Sequence, residues 1–211
     1  DLSFAGEDND FTFQNQLFQT ATGLEDYVWY HMYGNVLTIT AADATVSDMT
    51  PGGYCTYTTD STGGRINYQY QVTMDGFMCI DLDLSERNDF TVWLNGNELY
   101  SETYSLPQLL SVGHVEPGDR VEIILDCKAN ESSNMTVSCA LVDDAVFRQA
   151  YEILSASTME VTKFSTTRVE GTVNCDREGL LYTSIPQNGC WTVTVDGKEA
   201  DIVLIGDAMI G

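Results

Sequence analysis

The 211-residue chain carries 32 acidic and 9 basic residues, a net charge of −23 at neutral pH, and is 43% hydrophobic. That apolar share supplies one large or two small cores and excludes a disordered acidic tail. Nine scattered Lys and Arg cannot form the basic stripe a polyanion needs, which argues against nucleic acid as a partner.

A first helix is expected over residues 11–20, followed by strands near 27–32 and 36–40. The cleanest alternation comes next: Ile66, Tyr68, Tyr70, Val72 and Met74 on one face, Asn67, Gln69, Gln71 and Thr73 on the other. Further strands are expected near 78–84, 90–94, 121–127 and 135–141. Asn95-Gly96, Pro117-Gly118-Asp119 and Gly52-Gly53 punctuate them as turn chemistry requires. A second helix is expected over 145–155, where Phe147, Tyr151 and Leu154 recur at helical spacing behind Asp143 and Asp144. No apolar run approaches the roughly 20 residues of a membrane-spanning helix. The chain opens on Asp1 without Met or leader and reads as a piece of something longer.

An internal repeat refines the class. Phe90-Thr-Val-Trp-Leu-Asn-Gly-Asn-Glu98 aligns without gaps on Trp191-Thr-Val-Thr-Val-Asp-Gly-Lys-Glu199. Each copy is a strand that reverses at Asn-Gly or Asp-Gly. The expected fold is therefore all-β: two β-sandwich, jelly-roll-like modules with two short helices. The first module covers residues 1–144. The second, 145–211, begins with the linking helix and ends before its last strand, leaving an open sheet edge.

None of the six cysteines falls in a CxxC or Cys/His cluster, which leaves zinc unsupported by spacing. Cys127 and Cys139 flank a polar stretch. In a hairpin, however, they would stand roughly 13 Å apart, and both keep the apolar phase of their strands. They read as small buried hydrophobes, while a bridge between other pairs stays open. His31 and His114 lack metal-ligand spacing and read as surface or half-buried residues. Glu7-Asp8-Asn9-Asp10 and Asp81-x-Asp83-x-x-Glu86 hold oxygen ligands that would suit calcium but do not match a calcium loop; a solvated surface is the simpler reading. No catalytic residue, metal ligand or cofactor motif is assigned.

Two segments resemble the large extracytoplasmic region of YfhO-type bacterial membrane proteins. One is Phe11-x-x-Gln14-Asn15-x-Leu17-Phe18-x-x-x-Thr22-Gly23. The other is Gly179-Leu-Leu-Tyr-Thr-Ser184-Ile185-Pro186, followed by Trp191-Thr-Val-Thr-Val-Asp196-Gly197-Lys198. In the family, Gly directly precedes that Trp; here Cys190 intervenes after Gly189. The resemblance implies a multi-pass membrane protein similar to lipid-phosphosugar-dependent glycosyltransferases, associated with decorating envelope polymers such as lipoteichoic acid. It also implies a position on the extracytoplasmic face of the bacterial plasma membrane, beside the membrane-embedded remainder of the same chain. The family's presumed catalytic residues lie in that embedded part, and none maps onto this sequence.

Beside that resemblance, carbohydrate binding is the functional expectation, because sugars stack their C–H faces on exposed rings. The densest aromatic run places Tyr27, Trp29, His31 and Tyr33 on one strand face and Val28, Tyr30 and Met32 on the other. Trp93 shares the polar phase of Thr91 and Asn95, and the repeat puts Thr194 in its place. Trp93, Tyr27, Trp29 and Tyr33 are the candidate glycan contacts, each with core or interdomain packing as the alternative. The other reading of the whole chain is a structural spacer or protein-docking module without a ligand.

Overall fold

The computed structural model describes residues 9–31, 37–50, 52–175, 179–206 and 208–211. The chain divides into two compact units, Asp8–Ala150 and a second whose described part is Tyr151–Gly211. The sequence boundary at 144/145 falls at the first residue of the second helix, whereas this division falls in its middle.

The first unit begins with α1 (Asp10–Thr22), β1 (Trp29–His31), β2 (Leu37–Ala42), β3 (Ala44–Val46) and β4 (Tyr54–Thr59). It continues with β5 (Gly64–Gln71), β6 (Gly76–Leu84), β7 (Asp89–Leu94), β8 (Asn97–Thr103), β9 (Gln108–Val115), β10 (Arg120–Cys127) and β11 (Ser132–Val142), and ends partway along α2 (Asp144–Ser155). Two antiparallel sheets result. One has the order β3-β4-β11-β6-β9, with β1 also paired to β11; the other has the order β2-β5-β10-β7-β8. The architecture is a jelly-roll-like β-sandwich.

Alternation fills the space between the sheets. Ile66, Tyr68 and Tyr70 of β5 are buried as expected, with Val121, Ile123 and Leu125 of β10 and Phe90 and Val92 of β7. From the facing sheet come Met78, Ile80 and Leu82 of β6 and Val137, Cys139 and Leu141 of β11. The buried tyrosine hydroxyls find partners, as burial demands: Tyr68 Oη lies 3.2 Å from Met135 Sδ and 3.3 Å from Cys55 Sγ. Cys55, Cys79, Cys127 and Cys139 are buried free thiols; Cys175 and Cys190 are exposed. Burial pushes the Cys127 thiol up to about 12. The conditional hairpin between β10 and β11 is corrected: the two strands lie in different sheets, so the stretch between Cys127 and Ser132 crosses the sandwich.

Helix α1 starts at a capping box, with Asn9 Oδ1 accepting the Phe11 and Thr12 N–H groups, and stops at Gly23 in the left-handed region. Phe11 belongs to a second apolar cluster with Val28, Trp29, Cys79 and Ala140. This cluster explains why β6 is buried on both faces. Asp81 sits in that doubly buried stretch, only 4% exposed, and its Oδ2 accepts the Asp10 N–H at 3.0 Å. The solvated-surface reading of Asp81 is therefore corrected: it anchors a helix end. Desolvation, with Asp10 and Asp83 adding repulsion, pushes its carboxyl up to about 6. Glu7 and Asp8 of the other acidic cluster lie outside the described residues.

In the second unit the described residues form three two-stranded antiparallel ribbons: β12 (Glu160–Ser165) with β13 (Arg168–Thr172), β14 (Val193–Val195) with β15 (Lys198–Ala200), and β16 (Leu204–Ile205) with β17 (Met209–Ile210). The Ser184-Ile185-Pro186 motif lies along β17, where the Ile210 N–H donates to the Ile185 carbonyl and Pro186 bridges Met209. The repeated segments are both hairpins. Asn95 and Gly96 (φ 51° and 78°) match Asp196 and Gly197 (φ 51° and 75°), paired left-handed residues of the type I′ turn.

Candidate functional site

Within the stretch expected as a strand over 27–32, the described strand is β1, and Trp29 is its fixed point. The ring centroid of Phe11 lies 4.9 Å from that of Trp29. The Trp29 indole N–H donates to Gln14 Oε1 at 2.9 Å. Asn15 brackets the backbone: its Nδ2 donates to the Trp29 carbonyl at 2.9 Å, and the Trp29 N–H donates to its Oδ1 at 2.8 Å. A buried side-chain amide thus substitutes for a strand neighbour at the edge of β1. Phe11, Gln14 and Asn15, the residues that carry the first sequence motif, are a clamp on one tryptophan.

Gln14 and Trp29 of that clamp line one wall of an open cleft of about 720 Å³. Trp29, Tyr30, Phe77, Phe18 and Phe147 line it with aromatic surface, and Asp75, His114, Asp143 and Asp144 supply polar groups. Tyr30, Phe77, Phe147 and Met74 are each between 43% and 49% exposed, so apolar faces stand open to solvent. Phe18 and Phe147 meet at 6.2 Å in a tilted pair. Asp143 caps α2, accepting the Ala145 and Val146 N–H groups at 2.9 and 3.0 Å, so it is already partly committed. The Asp75 carboxylate and His114 Nε2 lie 3.0 Å apart and are both solvent-exposed. Rings that offer an apolar face beside carboxylates and an imidazole match what a sugar ring with hydroxyls presents.

The second candidate surface is the outer face of the five-stranded sheet. Trp93 is half-buried there, opposite Glu122 of β10, which in turn faces Gln69 of β5. Glu122 Oε2 accepts from Asn67 Nδ2 at 3.2 Å and pairs with Arg120 at 3.1 Å. The Trp93 indole nitrogen and Asn67 Oδ1 are buried with no hydrogen-bond partner among the described residues.

The structure does not join the four expected glycan contacts into one surface. Trp29 lines the cleft but is only 9% exposed and spends its N–H on Gln14; Tyr27 is 57% exposed and does not line the cleft. Trp93 belongs to the other sheet. Tyr33 lies outside the described residues, as do the side chains of His31 and Leu37. Tyr30, Phe77, Asp75 and His114 were not singled out for the cleft by the sequence. Only the pairing of β6 with β9 brings Asp75 and His114 together, and no local spacing signals it.

Fold and site define a β-sandwich domain with an open, aromatic-lined cleft and carboxylates among its lining groups. A family model described as bacterial membrane protein YfhO matches residues 5–211, and the chain belongs to that family. No curated protein matches. Among solved structures, the chain is similar to a family 35 carbohydrate binding module from Clostridium thermocellum, at 15% identity over 50% of this chain and 95% of that one, with a TM-score of 0.33. It is also similar to a CBM35 from Paenibacillus barcinonensis, at 17% identity over 52% of this chain and 96% of that one, with a TM-score of 0.33. A family 29 carbohydrate binding module matches at 13% identity over 53% of this chain and 87% of that one, with a TM-score of 0.35. At such scores the fold assignment rests on the sheet topology itself. Among the described residues no helix is long and apolar enough to cross a membrane.

Proposed function

We propose that this chain is a non-catalytic extracytoplasmic domain of a YfhO-like membrane glycosyltransferase, and that it engages or orients a glycan or polymer acceptor of the teichoic-acid type. The observation that carries the reading is the cleft, in which the exposed rings of Tyr30, Phe77 and Phe147 stand with Asp75 and His114. Under this proposal Trp29 is a clamped wall of the cleft, Tyr27 and Trp93 are glycan contacts away from it, and Tyr33 is kept as a contact although it lies outside the described residues. Family membership supports the membrane setting.

Charge constrains the ligand. A domain with 23 net negative charges repels a phosphate polymer unless cations or positively charged ester groups intervene. Binding of an anionic envelope polymer is therefore expected to strengthen when divalent ions are added. Glycan-array screening of the purified chain tests the proposal: reproducible binding that is lost in Tyr30→Ala or Phe77→Ala supports it. Binding untouched by both substitutions, or none at all, argues against it.

The second reading is a spacer or docking module. It draws on exposed apolar side chains in the other unit, Phe164 at 81% exposure and Val195 at 59%, since exposed apolar surface suits protein contacts.

A further inference from the structure

Strand β9 contains one residue more than its partner β6 can match. Met78 pairs with Gly113 and Cys79 with Ser111, so Val112 is the extra residue of a bulge. The bulge inverts the alternation. Leu110 and Val112 point into the core; had the phase continued, His114 would follow them inward. Instead Val115 is fully buried and His114 is exposed. Gly113, at φ 95°, supplies the backbone conformation this needs. His114 therefore emerges on the same side as Glu116, and Asp75 stands one residue beyond the last ladder pair, Gly76 with Val115.

The ligand atoms of Asp75, His114 and Glu116 lie within 4.8 Å of one another. His114 Nε2 and Asp75 Oδ1 already converge at 3.0 Å, close to the spacing that two donors about 2.0–2.2 Å from one ion adopt. Glu116 is positioned by its turn. Its backbone N–H donates to Asp119 Oδ2 at 2.8 Å, its carbonyl accepts the Asp119 N–H, and Asn95 Nδ2 donates to Asp119 Oδ1 at 2.8 Å. Those contacts fix the loop that presents Glu116.

We propose that Asp75, His114 and Glu116 form a binding site for a divalent transition-metal ion, with zinc as the best match. One imidazole nitrogen and two carboxylate oxygens form a mixed donor set that suits zinc better than the all-oxygen preference of calcium or magnesium. Three protein ligands leave a fourth position open, and two of the three ligands, Asp75 and His114, also line the aromatic cleft. The ion site stands without the glycan reading. If a polymer does enter the cleft, the open position offers its phosphate or hydroxyl oxygens a cation inside an otherwise repelling field.

The exposed thiols Cys175 and Cys190 are competing zinc ligands, so the test uses the full chain carrying Cys175→Ser and Cys190→Ser. Zinc chloride alone is titrated calorimetrically, and cobalt(II) substitution reads the coordination by its visible d–d absorption. One zinc per chain is expected. His114→Ala should weaken its binding roughly tenfold or more, and Asp75→Asn and Glu116→Gln should each weaken it as well. All three residues are exposed, so an unchanged melting profile without metal separates ligand loss from unfolding. Absence of zinc binding, binding unaltered by His114→Ala, or tighter binding of calcium than of zinc would overturn the site. The glycan reading is tested separately, on Tyr30→Ala and Phe77→Ala, whose zinc binding should match that of the parent.

Discussion

The two hairpins that share a repeated sequence share a turn and little else. Both reverse through left-handed Asx-Gly pairs, at Asn95-Gly96 and Asp196-Gly197. The first delivers Phe90 and Val92, 1% and 0% exposed, into a five-stranded sheet backed by a second sheet. The second forms a two-stranded ribbon, in which Val195 is 59% exposed. Turn chemistry is local and acts within a few residues. Burial requires partners from distant strands, and the two copies differ in having them. The same contrast separates the units: among the described residues, the buried apolar side chains beyond Ala150 are Ile205 and Ile210 alone. An isolated ribbon is marginal in water, so the second unit is expected to open at lower cost than the sandwich.

Core truncation should expose this difference most strongly. Ile123→Ala removes a fully buried side chain between the sheets and is expected to cost about 2–5 kcal/mol in urea unfolding. Val195→Ala, in the exposed ribbon of the second copy, should cost no more than about 0.5 kcal/mol. Equal losses would erase the contrast.

The next effect is electrostatic and confined to the sandwich. Burial raises the Asp81 pKa from 3.8 to about 6. A carboxyl whose folded pKa exceeds its unfolded one loses stabilising influence as pH rises from the lower value through the higher. The cost is absent below about pH 4 and complete at pH 7. Asp81→Asn keeps an oxygen for the Asp10 N–H and removes the ionisation. It should stabilise the protein by on the order of 1–3 kcal/mol at pH 7 and leave it unchanged near pH 3.5. Destabilisation at pH 7 would mean that the charged carboxylate is worth more to the helix end than its burial costs.

The smallest effect compares the turns directly. Gly96 and Gly197 have open space where a Cβ would stand, so substitution to Ala meets backbone strain alone, about 1 kcal/mol. In Gly96→Ala that loss should appear in global unfolding. In Gly197→Ala it should appear as roughly fivefold faster amide exchange within β14 and β15, with global stability unchanged.

Much of the sandwich was legible because its strands are amphipathic. The alternation of Ile66, Tyr68 and Tyr70 with Asn67 and Gln69 marks one buried face, and Asn-Gly marks a turn. Two features were hidden for physical reasons. Asp81 looks like surface charge in sequence; only the packing of α1 on the outer face of β6 buries it. His114 falls in phase with Leu110 and Val112 by counting, and a single extra residue turns it outward beside Asp75. The motif of Phe11, Gln14 and Asn15 was visible as a pattern, but its purpose, holding Trp29, depends on a contact fourteen residues away for Asn15.

The central claim is that a glycan enters the cleft of the sandwich unit. Its most direct test is to titrate the isotope-labelled chain with lipoteichoic-acid fragments, with and without divalent cations, while following amide shifts by NMR. The account predicts saturable shifts clustered at Tyr30, Asp75, Phe77 and His114, stronger with cations and lost in Phe77→Ala. Absence of shifts, or shifts confined to residues 151–211, would contradict it.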